Sequence, residues 1–437
     1  VTAKATVAVW RNWGRSESVT PVEHVRPESA DEVVAIVRSA RDRGLTVKPV
    51  GTSHSFSGIA VAPGIQLDMS GLTGLRRSHG TEVTLGAGTV LHDLPPLLNP
   101  LGLALQNMGD VDVQTLSGAT STGTHGTGAR FGGLATRITG ATIVTGTGEL
   151  LTMSATENAD LLPAIAVGIG SLGVLVDLTV DCVPTFVLHL VEKPEPLGLV
   201  LDEWQERIAD ADHFEFYWFA HTTVALTKTS TRLRADAPLK PLGAMKRWVD
   251  DSLMSNTVFA ASTRVQRTFP KSTPAINRFS THHWGDREFT DLSYNTFATE
   301  RRVRFREMEY ALPQDQIPVV LREIDALIAR EGWTISFPIE VRAAAADDLW
   351  LSTASGRATG YIAVHRHYRE DHRAYFAAVE AIMKAHDGRP HWGKMNQRTA
   401  EDLAPVYPRF EDFLKVRDRL DPDRLFANDY LRRVLGE

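Results

Sequence analysis

Two segments of the chain are built from small and hydroxyl residues with one histidine each. The first is Gly51-Thr52-Ser53-His54-Ser55-Phe56-Ser57-Gly58, and the second is Ser117 to Gly128. Side chains this small leave main-chain N–H groups free to face a ligand, and loops of such groups form nests for a diphosphate. Ordinary turns in an α+β domain share that composition, so the residues alone leave both readings open. A second kind of chemistry lies in Glu340-Val341-Arg342. Alternate residues of a strand share a face, so the carboxylate and the guanidinium point the same way. That pair is either a cross-strand ion pair or part of a pocket.

Other patterns weigh less. Gly168-Ile169-Gly170-Ser171-Leu172-Gly173 matches a dinucleotide fingerprint, with Glu192 at a fitting distance. The fingerprint needs strand, glycine turn and then helix, so that a pyrophosphate meets a helix N-terminus. Here a helix opens at Asp160 and Pro163, and Val174 to Val183 reads as a strand after the glycines, so the turn is read as a core turn. His365 and His367 would share a strand face, but His372 is awkwardly spaced as a third ligand and no HExxH exists, so no metal is expected. His-Trp-Gly occurs at 283–285 and at 391–393, and the second copy is followed by Lys394. There is no P-loop and no GxSxG elbow.

The surrounding elements alternate. Ser29 and Glu32 form a capping-box pattern ahead of Val33, Val34, Ile36, Val37 and Ala40, and Gly44 supplies the stop. Strands are predicted at 45–50, 65–69, 82–85, 137–144 and 149–153. Asn107 to Gly128 reads as one long loop. Leu161 to Val176 is uncharged but too short to span a bilayer, and reads as a buried helix running into a buried strand. Aromatic residues and longer amphipathic runs follow Pro184, with a strand at 213–219 and a helix at 317–329. The terminal run from Phe410 reads as helical and then extended. A boundary is placed near residue 185.

Composition sets the outer limits. The 437 residues carry 47 basic and 53 acidic side chains, a net charge of -6, which argues against a nucleic-acid binder. Cys182 is the one cysteine, so an intrachain disulfide and a cysteine-rich metal site are excluded. Val1 to Trp10 lacks the pattern of a secretory leader, and a cytoplasmic protein without a transmembrane segment is expected.

The chain resembles the vanillyl-alcohol-oxidase (PCMH-type) flavoprotein family. Lys48 to Phe56 is similar to its flavin-diphosphate loop, and Thr115 to Gly128 to its second FAD segment. Glu340-Val341-Arg342, His391-Trp392-Gly393-Lys394 and Leu420 to Asn428 resemble its sugar-1,4-lactone oxidase branch, which holds the gulonolactone and arabinonolactone oxidases and lies close to alditol oxidase. The resemblance runs the length of the chain. It implies an α+β, two-domain FAD-binding fold: a flavin domain at 1–185, a cap domain on a large antiparallel sheet at 186–404, and a C-terminal return at 405–437.

The resemblance also assigns roles. Gly51, Thr52, Ser53, His54, Ser55, Ser117, Gly118, Ser121, Gly123, Thr124, His125, Gly126, Val176 and His391 would bind FAD, with His54 as the covalent 8α-histidyl tether. Glu340, Arg342 and Lys394 would be catalytic. Thr115, His365 and His367 would bind the substrate. The implied reaction is oxidation of a secondary alcohol of an aldono-1,4-lactone, with hydride transfer to the flavin and reoxidation by O2 to H2O2. An alditol substrate and a dehydrogenase using another acceptor are the alternatives. Gly109 precedes the second segment, where a Cβ could block oxygen, so it is read as an oxygen-access position.

Overall fold

A computed structural model describes residues 8–282 and 285–437. His283 and Trp284, from the first His-Trp-Gly, lie outside these, as do residues 1–7 of the N-terminal stretch Val1 to Trp10.

The helix Ala30–Asp42 forms where its spacing predicts. Ser29 accepts from the Glu32 N–H at 3.2 Å, while the Glu32 carboxylate reaches back to the Glu28 N–H at 2.8 Å, one residue before the position the capping box predicts. Gly44 at φ +61° lets the Leu45 N–H return to the Ala40 carbonyl at 2.9 Å, which closes the helix. Val33, Val37 and Ala40 face a parallel sheet ordered Glu23–Val25, Ile65–Asp68, Val47–Val50. A second, five-stranded sheet runs Leu150–Met153, Ile138–Val144, Val174–Asp181, Glu82–Gly86, Leu75–His79, all antiparallel. The uncharged run from Leu161 is a buried helix, Leu162–Ile165, followed by the strand Val174–Asp181. No helix among the described residues is long and apolar enough to cross a membrane.

The larger sheet has eight strands in the order Arg287–Leu292, Phe186–Pro196, Val224–Arg234, His213–Trp218, Ile339–Ala344, Thr359–His367, Phe305–Pro313, Arg389–Pro390. Its pairings are antiparallel throughout. The strand period of two divides it cleanly. Phe214, Phe216, Trp218, Ile339, Val341, Ile362, Val364, Met308 and Tyr310 pack with the helices Ile317–Glu331 and Arg373–Ala385. The alternate positions on the other face include Glu215, Tyr217, Arg342, Glu340, Glu307 and Glu309, all buried or nearly so.

Two sequence expectations change here. Asn107 to Gly128 is broken by a short helix, Leu116–Ser121, whose N-cap Thr115 accepts from the Gly118 N–H at 3.2 Å. The chain beyond Phe410 is two helices, Phe410–Leu420 and Asp429–Leu435, rather than a helix and an extended run. Asn428 starts the second by accepting from the Leu431 N–H at 3.0 Å. Between them Leu425 and Phe426 enter the core beneath the parallel sheet, and the Val47 N–H donates to Leu425 at 2.9 Å.

Lys48 ties these parts together. Its buried ammonium donates to the Gly170 carbonyl at 2.8 Å and the Phe426 carbonyl at 3.0 Å. Burial pulls its pKa down to about 7, with Asp421 opposing. The folded protein therefore binds fewer protons than the unfolded chain between about pH 7 and the ordinary lysine value, and stability gains from Lys48 as pH rises through that window. Lys48→Met should lower stability by roughly 1–3 kcal/mol through two orphaned carbonyls. The wild-type rise in urea midpoint above neutral pH should shrink in the variant.

Candidate active site

The first glycine loop leaves the strand Val47–Val50 and is held in an open form by its neighbours. Ser53 sits at φ +63°, its hydroxyl accepting from the Trp10 indole at 2.8 Å and its carbonyl from the Trp13 N–H at 2.8 Å. The Trp13 ring stacks on His54 at 4.8 Å. Beyond it, the Phe56 N–H donates to the Gly393 carbonyl at 2.6 Å and the Ser57 hydroxyl to the Trp392 carbonyl at 2.7 Å. These bonds bring the loop against the second His-Trp-Gly-Lys run.

The loop forms one wall of a cleft with about 760 Å³ of unfilled space. Gly51, Thr52, Ser53, His54 and Ser55 line one side, and Thr115, Ser117, Gly118 and Ser121 the opposite side. A Cβ on Gly51 would come within 2.2 Å of the Thr115 hydroxyl, so the two walls meet only because that residue is glycine. The third wall is the turn Ile169, Gly170 and Gly173. Its left-handed conformations, φ +46° at Ile169 and +65° at Gly170, bring it to the cleft. The Ile169 N–H donates to the Ser121 carbonyl at 3.1 Å. Reading that motif as a plain core turn was right about its order, helix before strand, but missed this placement. The cleft suits an elongated group bearing a diphosphate, because hydroxyls and main chain line it and it has little side-chain bulk.

After Ser121 the second segment dives to the cap sheet. Gly123 turns at φ +77°, Thr124 donates to Gln114 at 3.4 Å, and a Cβ on Gly126 would strike the Met108 carbonyl at 2.3 Å. The His125 ring stacks on Tyr361 at 3.5 Å and pairs with Glu309 at 3.3 Å. His391 lies 5.8 Å from His125, centroid to centroid, and accepts at Nδ1 from the Gly393 N–H at 3.1 Å. Burial, opposed by Glu309, pulls the His391 pKa down to about 3. The Gly128 N–H then donates to the Ala343 carbonyl at 2.8 Å, fastening the segment to the strand that carries Arg342.

On the sheet face, Arg342 is the centre. It pairs with Glu340, with Glu215 at 2.7 Å and with Asp110 at 3.2 Å. Lys228 holds Glu215 at 2.8 Å, Arg301 holds Asp110 at 3.0 Å, and the Tyr217 hydroxyl donates to Glu340 at 2.8 Å. Burial raises the Glu340 pKa to about 7 despite the Arg342 charge, with Asp110 and Glu215 adding to the rise. Asp110 is held far below the usual carboxylate range because Arg342 and Arg301 outweigh its burial. The same face holds a second group. Lys394 pairs with Glu307 at 2.5 Å and lies 5.4 Å from the Phe56 ring, and His365 faces Glu307 at 3.5 Å. His365 also bonds the Pro338 carbonyl through Nδ1 at 2.8 Å, and its bonds and charges from Glu307 outweigh burial to raise its pKa.

The structure thus brings together Glu340, Arg342, His365 and Lys394, and places His54 and Thr115 in the adjoining cleft. His367 stands apart: it is half-buried against Phe337, and its Nδ1 accepts from the Arg369 N–H at 3.3 Å. His372 begins the helix Arg373–Ala385 and bonds Arg306, so the three histidines do not converge. The closest potential ligand groups among the described residues are His125–Glu309–His391 and Glu307–Glu340–His365. Val176 points into the core below the parallel sheet, and Leu175 lines the cleft instead. The strand keeps its alternation across the register irregularity at Leu175 to Asp177, with Val174, Val176, Leu178 and Val180 all buried. At Gly109 an added Cβ would meet the His125 carbonyl at 3.1 Å, so the position is tight against main chain. Sequence reading missed Asp110, Glu215, Tyr217, Lys228, Arg301, Glu307 and Glu309. Alternation in His213–Trp218 and Phe305–Pro313 is the signal for four of them, but acids on strands ordinarily face water.

The profile described as "FAD binding domain" matches residues 22–154, and that of "D-arabinono-1,4-lactone oxidase" matches residues 178–434. A relative from Mycobacterium tuberculosis, an L-gulono-1,4-lactone dehydrogenase, is 42% identical over 98% of this chain and 99% of its own. The L-gulonolactone oxidase of Bos taurus is 32% identical over 97% and 98%. Cholesterol oxidase from Brevibacterium sterolicum shares the fold, with a TM-score of 0.82 at 16% identity over 98% of this chain and 96% of that one. With an FAD-binding domain, a cap sheet and this family's profile across its second half, the chain belongs to the D-arabinono-1,4-lactone oxidase family of FAD-dependent oxidoreductases.

Proposed function

We propose that the protein oxidises a secondary alcohol of an L-gulono-1,4-lactone-type aldonolactone. The observation that carries this reading is the buried carboxylate–guanidinium pair of Glu340 and Arg342, with Lys394, beside a glycine-walled cleft that contains His54. Bound FAD supplies a two-electron acceptor for the hydride of the alcohol carbon. In this reading the flavin domain covers about residues 1–185, the cap 186–404 and the return 405–437. The diphosphate would lie along Gly51 to Ser55 and Ser117 to Ser121.

The residues divide the remaining work. Glu340, with its pKa near 7, accepts the hydroxyl proton at neutral pH and is oriented by the Tyr217 hydroxyl. Arg342, fixed by Glu215 and Asp110, stabilises the oxygen as negative charge grows on it. Lys394, paired with Glu307, adds an ammonium to the charge that holds this oxygen. His54 is neutral because burial and the Lys394 charge pull its pKa down to about 4. A neutral imidazole has a lone pair for a carbon–nitrogen bond, which supports its assignment as the flavin tether. Oxygen is the acceptor in the first version of this reading. The Mycobacterium tuberculosis relative's name favours a second, in which another acceptor takes the electrons.

Glu340→Gln keeps the shape and loses the base. Steady-state rates on L-gulono-1,4-lactone should fall by roughly 100-fold or more, with KM little changed. The wild-type rate should climb with pH through about 7 as Glu340 loses its proton, and that limb should vanish in the variant. An unchanged pH limb would take the base role from Glu340.

Acid precipitation tests the tether. The washed pellet of the wild type should stay yellow, whereas His54→Ala should release its flavin to the supernatant. Wild-type colour confined to the supernatant would remove the covalent link.

Gly109→Ala should slow flavin reoxidation by air while reduction by lactone under argon keeps its rate. Equal reoxidation rates would assign no oxygen path to this position. A parallel loss in both half-reactions would trace to the crowded His125 carbonyl.

A further inference from the structure

The helical excursion between the strands Val224–Arg234 and Arg287–Leu292 is built inside out. It comprises Trp248–Val258, a wide helical stretch, then the helices Phe259–Thr268 and Thr273–His282. Its buried positions are polar: Asn256, Thr263, Gln266, Thr273, Asn277 and Thr281. Two of these fasten it to the protein through main chain. Asn256 donates to the Glu300 carbonyl at 2.9 Å, and Asn277 to the Ile335 carbonyl at 2.9 Å. Its exposed positions include six large apolar side chains: Met245 is 74% exposed, Trp248 54%, Met254 51%, Val258 42%, Val265 46% and Phe269 65%. Spacings of four and seven residues put Met254, Val258 and Val265 on one helix face, away from Thr263 and Gln266. A water-facing surface helix has the opposite arrangement.

Charge identifies what covers this face. From Leu239 to His282 there are seven Lys and Arg and two Asp, although the whole chain carries a net charge of -6. Ser252 to His282 contains no acidic residue, and Arg264, Lys271 and Arg278 are exposed beside the apolar positions. Exposed aromatic and thioether side chains flanked by cations are the makeup of an element that lies in a membrane interface and draws on anionic headgroups. The element also borders the site. Phe259 meets Phe337 at 5.0 Å, and Phe337 lies 6.4 Å from His365.

We infer that the excursion Leu239–His282 docks the enzyme peripherally on an anionic lipid surface, with Trp248 and Phe269 inserting among the headgroups. Cosedimentation of the holoenzyme with vesicles tests this. It should pellet with phosphatidylcholine–phosphatidylglycerol vesicles, much less with phosphatidylcholine alone, and less as salt rises. Trp248→Ser with Phe269→Ser should weaken binding about tenfold or more, and Arg264→Glu with Lys271→Glu should abolish the preference for phosphatidylglycerol. Both double variants should reduce a soluble dye with lactone at the wild-type rate, which reports that they are folded. Three outcomes would overturn the inference: no pelleting with either vesicle, variants that bind like wild type, or a dimer that the apolar variant dissociates and that ignores lipid.

Discussion

The site is organised around one buried guanidinium. A charge taken out of water is held only if its neighbours restore what water supplied, and removing one partner leaves a penalty of several kcal/mol. Arg342 meets that demand with three carboxylates, Glu340, Glu215 and Asp110. Two of these have a second cation, Lys228 on Glu215 and Arg301 on Asp110. Glu340 is bonded instead by the uncharged Tyr217 hydroxyl. Hence three similar carboxylates diverge: Asp110 is driven down by two arginines, and Glu340 is lifted to about 7 by burial. In the proposed reaction, fixing Arg342 firmly leaves Glu340 as the carboxylate that exchanges a proton.

That arrangement depends on the eight-stranded sheet having two unlike faces. Strand alternation assigns Phe216, Val341 and Ile362 to the helices and leaves Tyr217, Glu340 and Ala363 opposite. Glu340 pairs in register with Ala363, which in turn pairs with Glu309. The small alanine leaves room between these acids, and the ligand atoms of Glu340, Glu307 and His365 lie within 4.8 Å of one another. The flavin domain then closes over this face by main-chain bonds, Gly128 to Ala343 and Phe56 to Gly393. Asn428 secures the C-terminal return by donating to the carbonyls of Gly58 at 3.0 Å and Val61 at 2.9 Å.

Much of this was legible in the chain, for reasons that can be named. The helix after Ser29 is fixed by local signals, a cap, a period and a glycine stop, and it formed as read. The glycine loops announced a cleft because small residues cannot fill a core. Asp110 gave no such signal, because its importance lies in Arg342, more than two hundred residues away in sequence. Glu307 and Glu309 were hidden by the ordinary rule that acids on strands face solvent, which fails when a second domain covers the sheet. The second terminal helix was missed because seven residues give little periodicity, and its start is declared by a single asparagine.

Histidine shows how far the same residue type is divided by its surroundings. His54 and His391 are both buried near Lys394, and that cation adds to burial in keeping them neutral. His365 is buried too, but Glu307 and the Pro338 carbonyl bond it and turn the balance towards the charged form. The site therefore sets the neutral rings of His54 and His391 beside the cations Arg342 and Lys394, while His365 is biased towards its charged form. A neutral ring can form a bond or pack against an uncharged ring system, whereas cations hold oxygen as it gains charge. The division follows from pairing, since burial alone pushes all three histidines the same way.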